Sequence, residues 1–212
     1  RDQLAGDLVP QPTTSQQVAT GYNRVLQTTH EGGLQPGEYR VIYAADRVRN
    51  LSGVWLGAAV GCAQCHDHKF DPYTMRDFYS LAAFFADVDD ESHFKTGSND
   101  LPTRRDPEME LPTPEQEQVL NSLKLQLAEI EQQLLTDNGS SEEKHQIKNR
   151  KKSIDLQLKE IQRQVQRSMV TVVLAQPRLT RILPRGNWMD ESGPVVEPAF
   201  PGFLCDPDSD AE

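Results

Sequence analysis

Apolar and polar positions change rhythm several times along this chain. Residues 1–35 are polar and turn-rich, and end in Glu31-Gly32-Gly33-Leu34 without a sustained period. From Pro36 onward Tyr39, Ile42, Tyr43, Leu51, Trp55 and Leu56 recur at roughly helical spacing, which predicts a helix from Pro36 to about Gly61. Proline suits the first helical position because the N–H it lacks has no partner there. A second helix is predicted to open at Asp71-Pro72, with aspartate as cap. It carries Tyr73, Phe78, Leu81, Phe84 and Phe85 and ends near Ala86. Residues 87–112 are acidic and then rich in Pro, Gly and Ser, the composition of a long irregular connection.

The next pattern is different. Thr113 and Gln116 form a capping box, and Leu120, Leu123, Leu127, Ile130 and Leu134 then alternate at three and four residues, as in a coiled-coil seam. The seam breaks at Thr136-Asp137-Asn138-Gly139. Ser140 with Glu143 offers a second box, and a second seam runs on through Ile147, Ile154, Leu158, Ile161 and Val165, interrupted by Lys151. Two amphipathic helices joined by so short a loop should fold back antiparallel. Met169 to Leu174 is rich in β-branched residues and predicts a strand, with a second over Leu179 to Leu183. The proline-rich tail from Pro184 to Pro207 predicts irregular structure.

Composition changes this picture in two ways. The chain has 212 residues, a formal net charge of -10 and 36% hydrophobic residues. The acidic balance disfavours nonspecific nucleic-acid binding, which needs a basic surface, and no apolar run reaches the length of a membrane span. Basic residues nevertheless gather on the second hairpin helix, at Lys144, Lys148, Arg150, Lys151, Lys152, Lys159, Arg163 and Arg167. That helix reads as a solvated face or as a docking arm for a partner chain or an acidic polymer. Both ends of the chain look cut, as in an internal portion of a longer precursor.

The candidate chemistry lies in Gly61-Cys62-Ala63-Gln64-Cys65-His66-Asp67-His68-Lys69. C-x-x-C-H is the attachment signature for haem c. Two thiols about one turn apart can reach the two vinyl groups on one porphyrin edge, and the adjacent His66 then lies under the iron as proximal ligand. Trp55, Tyr73, Phe78 and Phe84 are candidate walls for a flat apolar macrocycle, and Gly57 and Gly61 allow close backbone approach. Arg47 and Arg49 are candidate partners for the haem propionates. Candidates for the sixth iron ligand are His30, His93 and Met109, with Met75, Met169 and Met189 behind them; His68 is too close to His66 to cross to the other haem face. Zinc is the competing reading, through Cys62, Cys65 and His68 with Cys205 or His93 as fourth ligand, although typical closed sites pair two short ligand motifs. A thioredoxin-like dithiol fits less well, because no βαβ pattern surrounds the motif. Cys205 reads as structural or free. Glu31, Asp46, Asp67 and Asp71 crowd the motif in sequence, but no spacing singles out an acid/base pair.

Three stretches carry a family resemblance: THEGGLQPGEYR, ADRVRNLSGVWLGAAVGCAQCHDHKFDPYTMRDFYSLAAFFADV and LPRGNWMDESG. They resemble the planctomycete cytochrome-associated proteins, large secreted chains that usually join a cytochrome c-like domain to two domains of unknown function. The resemblance covers almost the whole chain, and CHDHKFDP is its most specific block. It implies the first of those two domains, truncated at its start, in an extracytoplasmic setting (periplasmic or secreted). It also marks Cys62, Cys65, His66 and His68 as motif positions and the hairpin as a variable insertion.

The expectation is a mainly α protein in three parts. Residues 1–112 form a helical haem c-binding region, 113–168 a long antiparallel coiled-coil hairpin, and 169–212 a short β and irregular segment packing back on the haem region. The favoured function is a c-type cytochrome module with one covalent haem, passing electrons to a redox partner protein or to other domains of the same precursor. The hairpin offers a route to homo- or hetero-oligomers. The alternatives are a haem enzyme with an open coordination site acting on a polysaccharide-related substrate, and an assembly protein with a zinc or structural haem site.

Overall fold

The computed structural model of the chain describes residues 1–28, 35–90, 105–136 and 141–204. The expectations placed on His30, Glu31, His93, Asp137 to Ser140 and Cys205 lie outside these residues. The chain is mainly helical with small antiparallel sheets, and it divides into two compact units, Arg1–Pro107 with Met169–Glu212, and Glu108–Ser168.

The first unit begins with more order than its polar sequence predicts. Helix α1 (Asp2–Ala5) and helix α2 (Thr14–Ala19) each lead into a tighter turn, Gly6–Leu8 and Thr20–Arg24. A capping box between Thr13 and Gln16 starts α2. Thr20, Asn23 and Arg24 are buried. They can be, because their polar atoms find partners: Arg24 donates to the carbonyls of Val170, Arg105 and Asp106, and the Thr20 hydroxyl accepts from the amide of Thr171. Burial lowers the Arg24 pKa, against the neighbouring charge of Asp90.

Helix α3 (Pro36–Leu51) starts with Pro36 at its first position. It does not run regularly to Gly61. Ser52–Leu56 widens into a π-turn, closed by Gly57 at φ +60° with the Ala58 amide bonded to the Ser52 carbonyl. A π-turn holds more residues than an α-turn, so it rotates the next side chains away from the apolar stripe. Val54, Trp55 and Leu56 are exposed as a result. The second predicted helix also starts later. Helix α4 (Met75–Ala83) is capped by Thr74, boxed with Asp77, and not by Asp71.

Between these helices lies the core of the unit, built on Val48, Val60, Ala63, Phe78, Leu81 and Leu183. Phe78 lies edge-on to Tyr79 with ring centroids 5.0 Å apart. Thr180–Arg181 (β3) and Val195–Val196 (β4) pair antiparallel beside α4, so part of the proline-rich tail is ordered. Val172 to Leu174 returns along residues 87–89 through backbone hydrogen bonds, with one bridge between Val88 and Val173.

In the second unit Glu108–Leu111 (β1) pairs with Gln166–Met169 (β2), so the predicted strand at Met169 lies earlier than expected. Arg167 bridges Glu108 and Glu110 at 3.2 and 2.8 Å. Helix α5 (Pro114–Thr136) opens with the Thr113–Gln116 box. Helix α6 (Ser141–Gln164) packs on it around Leu123, Ile130 and Ile154. The pairing of Lys151 with Glu131 and of Gln116 with the Gln164 carbonyl shows the two helices running in opposite directions. Lys151, which interrupts the apolar seam, is thereby given an anionic partner.

Candidate functional site

The cysteine motif comes directly after the π-turn. Val60–Gln64 forms a single 3-10 turn, not a helix end, with Val60 and Ala63 anchored in the core. That spacing turns Cys62, between the anchors, outward. Cys62 and Cys65 are free, exposed thiols and His66 is exposed beside them. The turn is tied down from two sides. Arg49 of α3 donates to the Gln64 side chain at 2.5 Å, and the buried Tyr79 hydroxyl of α4 donates to the Gln64 carbonyl at 3.0 Å and the Leu183 carbonyl at 3.3 Å.

The three residues after Cys65 have separate roles. The Nδ1 of His66 lies 2.8 Å from the Asp67 carbonyl. A carbonyl can only accept, so in the neutral ring Nδ1 carries the hydrogen and Nε2 keeps its lone pair. This is the arrangement that orients a metal-binding imidazole. His68 is the opposite case. Its Nδ1 accepts from the amides of Phe70 and Asp71, and its own amide bonds the Tyr73 carbonyl. It therefore holds the loop into α4, and its Nδ1 has no lone pair left for zinc. Asp67 accepts from the Met75 amide at 2.7 Å, a bond to the start of α4 that accounts for its carboxylate.

Beside Cys62 opens a cleft of about 670 Å³, lined by Arg49, Gly53, Gly57, Ala58, Gly61 and Cys62 among others. Its glycines divide into two kinds. A Cβ on Gly61 would lie 2.7 Å from the Arg49 side chain, so a larger residue there would displace Arg49. A Cβ on Gly53 or Gly57 would meet nothing within 4 Å. Gly57 is explained by its left-handed φ; Gly53 is not, and an interior glycine costs about 1 kcal/mol of helix propensity relative to alanine. Its bare backbone leaves room for a flat group at the cleft. Another cleft of the first unit, about 680 Å³, includes Arg40, Tyr79, Arg181 and Trp188 and contains none of the cysteines or histidines.

Several predicted site residues are placed elsewhere. Arg47 does not face a propionate: it is buried in a two-bond pair with Asp90, at 2.8 and 2.6 Å, and its Nε donates to the Asn23 carbonyl. Only Arg49 of the two arginines lines the cleft beside Cys62. Of the predicted walls, Tyr73 and Phe78 are core residues, Phe84 lies against Phe200, and Trp55 is exposed on the π-turn. Among the sixth-ligand candidates, Met109 lies in β1 of the second unit, Met75 is half-buried at the start of α4, and Met189 is exposed. Among the described residues no three His, Cys, Asp or Glu side chains gather into a metal-ligating group, so Cys62 and Cys65 gain no zinc partner there.

Tyr79 was not singled out by sequence reasoning, because a tyrosine in an apolar helical stripe reads as simple core. Burial pushes its pKa up to about 12. The unfolded phenol ionises near pH 10, so this group's contribution is complete below about pH 10 and is lost as pH rises through the folded value. The difference is worth roughly 2–3 kcal/mol. Urea unfolding between about pH 8 and 12 should show Tyr79→Phe losing less stability than the parent over this range. Parallel declines would remove Tyr79 as the cause.

A family model described as PSCyt2, protein of unknown function (DUF1549), matches residues 1–90. The match contains α1 to α4 and the whole cysteine–histidine motif. No curated protein and no solved structure matches the chain. No described helix is long and apolar enough to cross a membrane.

Proposed function

We propose that the first unit is a c-type cytochrome module that holds one covalent haem at Cys62 and Cys65, with His66 as proximal iron ligand, and serves electron transfer. One observation carries the reading. Two exposed thiols and an exposed imidazole lie within five consecutive residues, and the first of them, Cys62, lines a cleft that also includes Gly53 and Gly57, where no side chain crowds the backbone. Bound haem supplies one-electron chemistry. The chain's own residues tether it through the two thiols, orient His66 through the Asp67 carbonyl, and set Arg49 at the cleft, where its guanidinium suits a carboxylate. Exposed Val54, Trp55 and Leu56 flank the same stretch with apolar surface.

The setting that goes with this reading is extracytoplasmic, as part of a larger planctomycete cytochrome-associated protein. The partner is a redox protein or another domain of the same precursor. The α5–α6 hairpin would then be a coiled coil available for docking.

The test is a pyridine haemochrome spectrum and metal analysis of the chain, produced in the periplasm of a host with c-type maturation machinery. One haem per chain, resistant to acidified-acetone extraction, is expected. Zinc without haem, or haem that extracts freely, overturns the proposal. Carbon monoxide added to the reduced protein should leave the spectrum unchanged if the iron has six ligands and relays electrons. A shifted spectrum would instead favour an enzyme with an open coordination site.

A further inference from the structure

The two cysteines differ in what touches them. Cys62 opens on the cleft, whereas the Cys65 sulfur sits against a turn more than a hundred residues later in the chain. A Cβ built on Gly186 would lie 2.8 Å from the Cys65 Sγ and 3.6 Å from the Gln64 side chain. Only glycine permits that approach, because carbon and sulfur do not come so close without a bond between them.

The turn that brings Gly186 there is unusual and well anchored. Arg185 and Gly186 are both left-handed, at φ +54° and +69°. The conformation is natural for glycine and disfavoured for arginine, so the chain accepts strain at Arg185 in placing Gly186 on the sulfur. On one side Leu183 is buried in the core and β3 pairs with β4. Within the turn, the amides of Gly186 and Asn187 bond the carbonyls of Leu183 and Pro184. The Tyr79 hydroxyl ties both halves together, since it donates to Gln64 inside the motif and to Leu183 at the foot of the turn. Sulfur, turn and tyrosine form one arrangement.

We propose that the Pro184–Gly186 turn is a template for the Cys65 thiol, with Gly186 and Tyr79 as positioning residues that set where the second haem attachment forms. The inference rests on the haem reading for its purpose, while the positioning itself is a property of the haem-free chain. Cys62 needs no such device, because it stands free at the cleft.

The first experiment uses haem-free protein and no assumption about cofactor. Alkylation by iodoacetamide at fixed pH, mapped by mass spectrometry, gives separate rates for Cys62 and Cys65. Gly186→Ala puts a methyl group within 2.8 Å of the sulfur and moves the already exposed thiol off the turn, freeing the side that Gly186 covers. The Cys65 rate should rise about fivefold or more, while Cys62 stays within about twofold. Tyr79→Phe, which keeps the ring and frees both carbonyls, should raise the Cys65 rate in the same selective way and remains available if Gly186→Ala does not unfold cooperatively. Unchanged rates in a folded variant, or equal changes at both cysteines, overturn the template.

The second experiment uses protein matured with haem. Gly186→Ala should carry haem linked through Cys62 alone, seen as a haemochrome band moved to longer wavelength and as a Cys65 peptide free of haem. Full attachment through both cysteines overturns the template while leaving the haem reading intact. A haem-free parent protein whose Cys65 rate still responds to Gly186→Ala overturns the haem reading and retains the template.

Discussion

The double substitution Cys62→Ser with Cys65→Ser is expected to abolish covalently held haem while barely altering the stability of the haem-free chain. Both thiols are exposed and free, and the anchoring of their turn comes from Val60, Ala63 and the bonds to Gln64. Serine keeps the size of the side chain within one atom and removes only the nucleophilic sulfur. Surface changes of this kind usually stay within about 0.5 kcal/mol, so the urea midpoint should scarcely move. Each single variant should retain haem through its remaining thiol in lower yield. Covalent haem persisting in the double variant would sink the assignment of the attachment site. A large loss of stability would show that the motif is a structural element.

Asp90→Ala should give the largest loss of stability in the first unit, about 3–5 kcal/mol. The Arg47–Asp90 pair is almost wholly buried, and both carboxylate oxygens accept from the same guanidinium. Removing the carboxylate leaves the Arg47 charge in the core, beside the Asn23 carbonyl and the Phe85 ring. It also removes the counter-charge that favours ionised Arg24. The penalty thus comes from an unpaired buried cation and not from the pair's own net attraction. It follows that Arg47→Met combined with Asp90→Leu should recover much of the loss, because no charge is then left behind. Urea unfolding of the parent and both variants measures this directly. A loss below about 1 kcal/mol for Asp90→Ala would mean that water or another group compensates Arg47.

The family match covers residues 1–90, and the site's contacts extend past it. Leu183, which shares Tyr79 with the motif, and Gly186, which meets Cys65, both lie far outside the matched stretch. A chain cut back to the matched residues would therefore lack the turn that packs on the second cysteine.

By itself the sequence determined what depends on near neighbours. The start of α3 at Pro36, the Thr113–Gln116 box and the apolar seams of α5 and α6 are all local, and each was legible. The motif was legible for the same reason, since its thiols and imidazole lie within five consecutive positions. The tertiary structure decided the rest. Arg47 looked available for a propionate until Asp90, 43 residues away, took both of its terminal nitrogens. Phe78 and Phe84 looked alike in one stripe, yet one is core and the other exposed. Thr20 and Arg24 fall in a stretch whose sequence shows only polarity and turns, because periodicity registers apolar side chains, not the distant carbonyls and amides that allow polar ones inside. The clearest case is Cys65. Its spacing from Cys62 is written in the chain, but its surroundings come from Gly186, and only the fold brings that glycine to the sulfur. Periodicity tells which side chains share a face; contact between distant segments depends on how turns such as Arg185–Gly186 aim the backbone, and that is settled by packing.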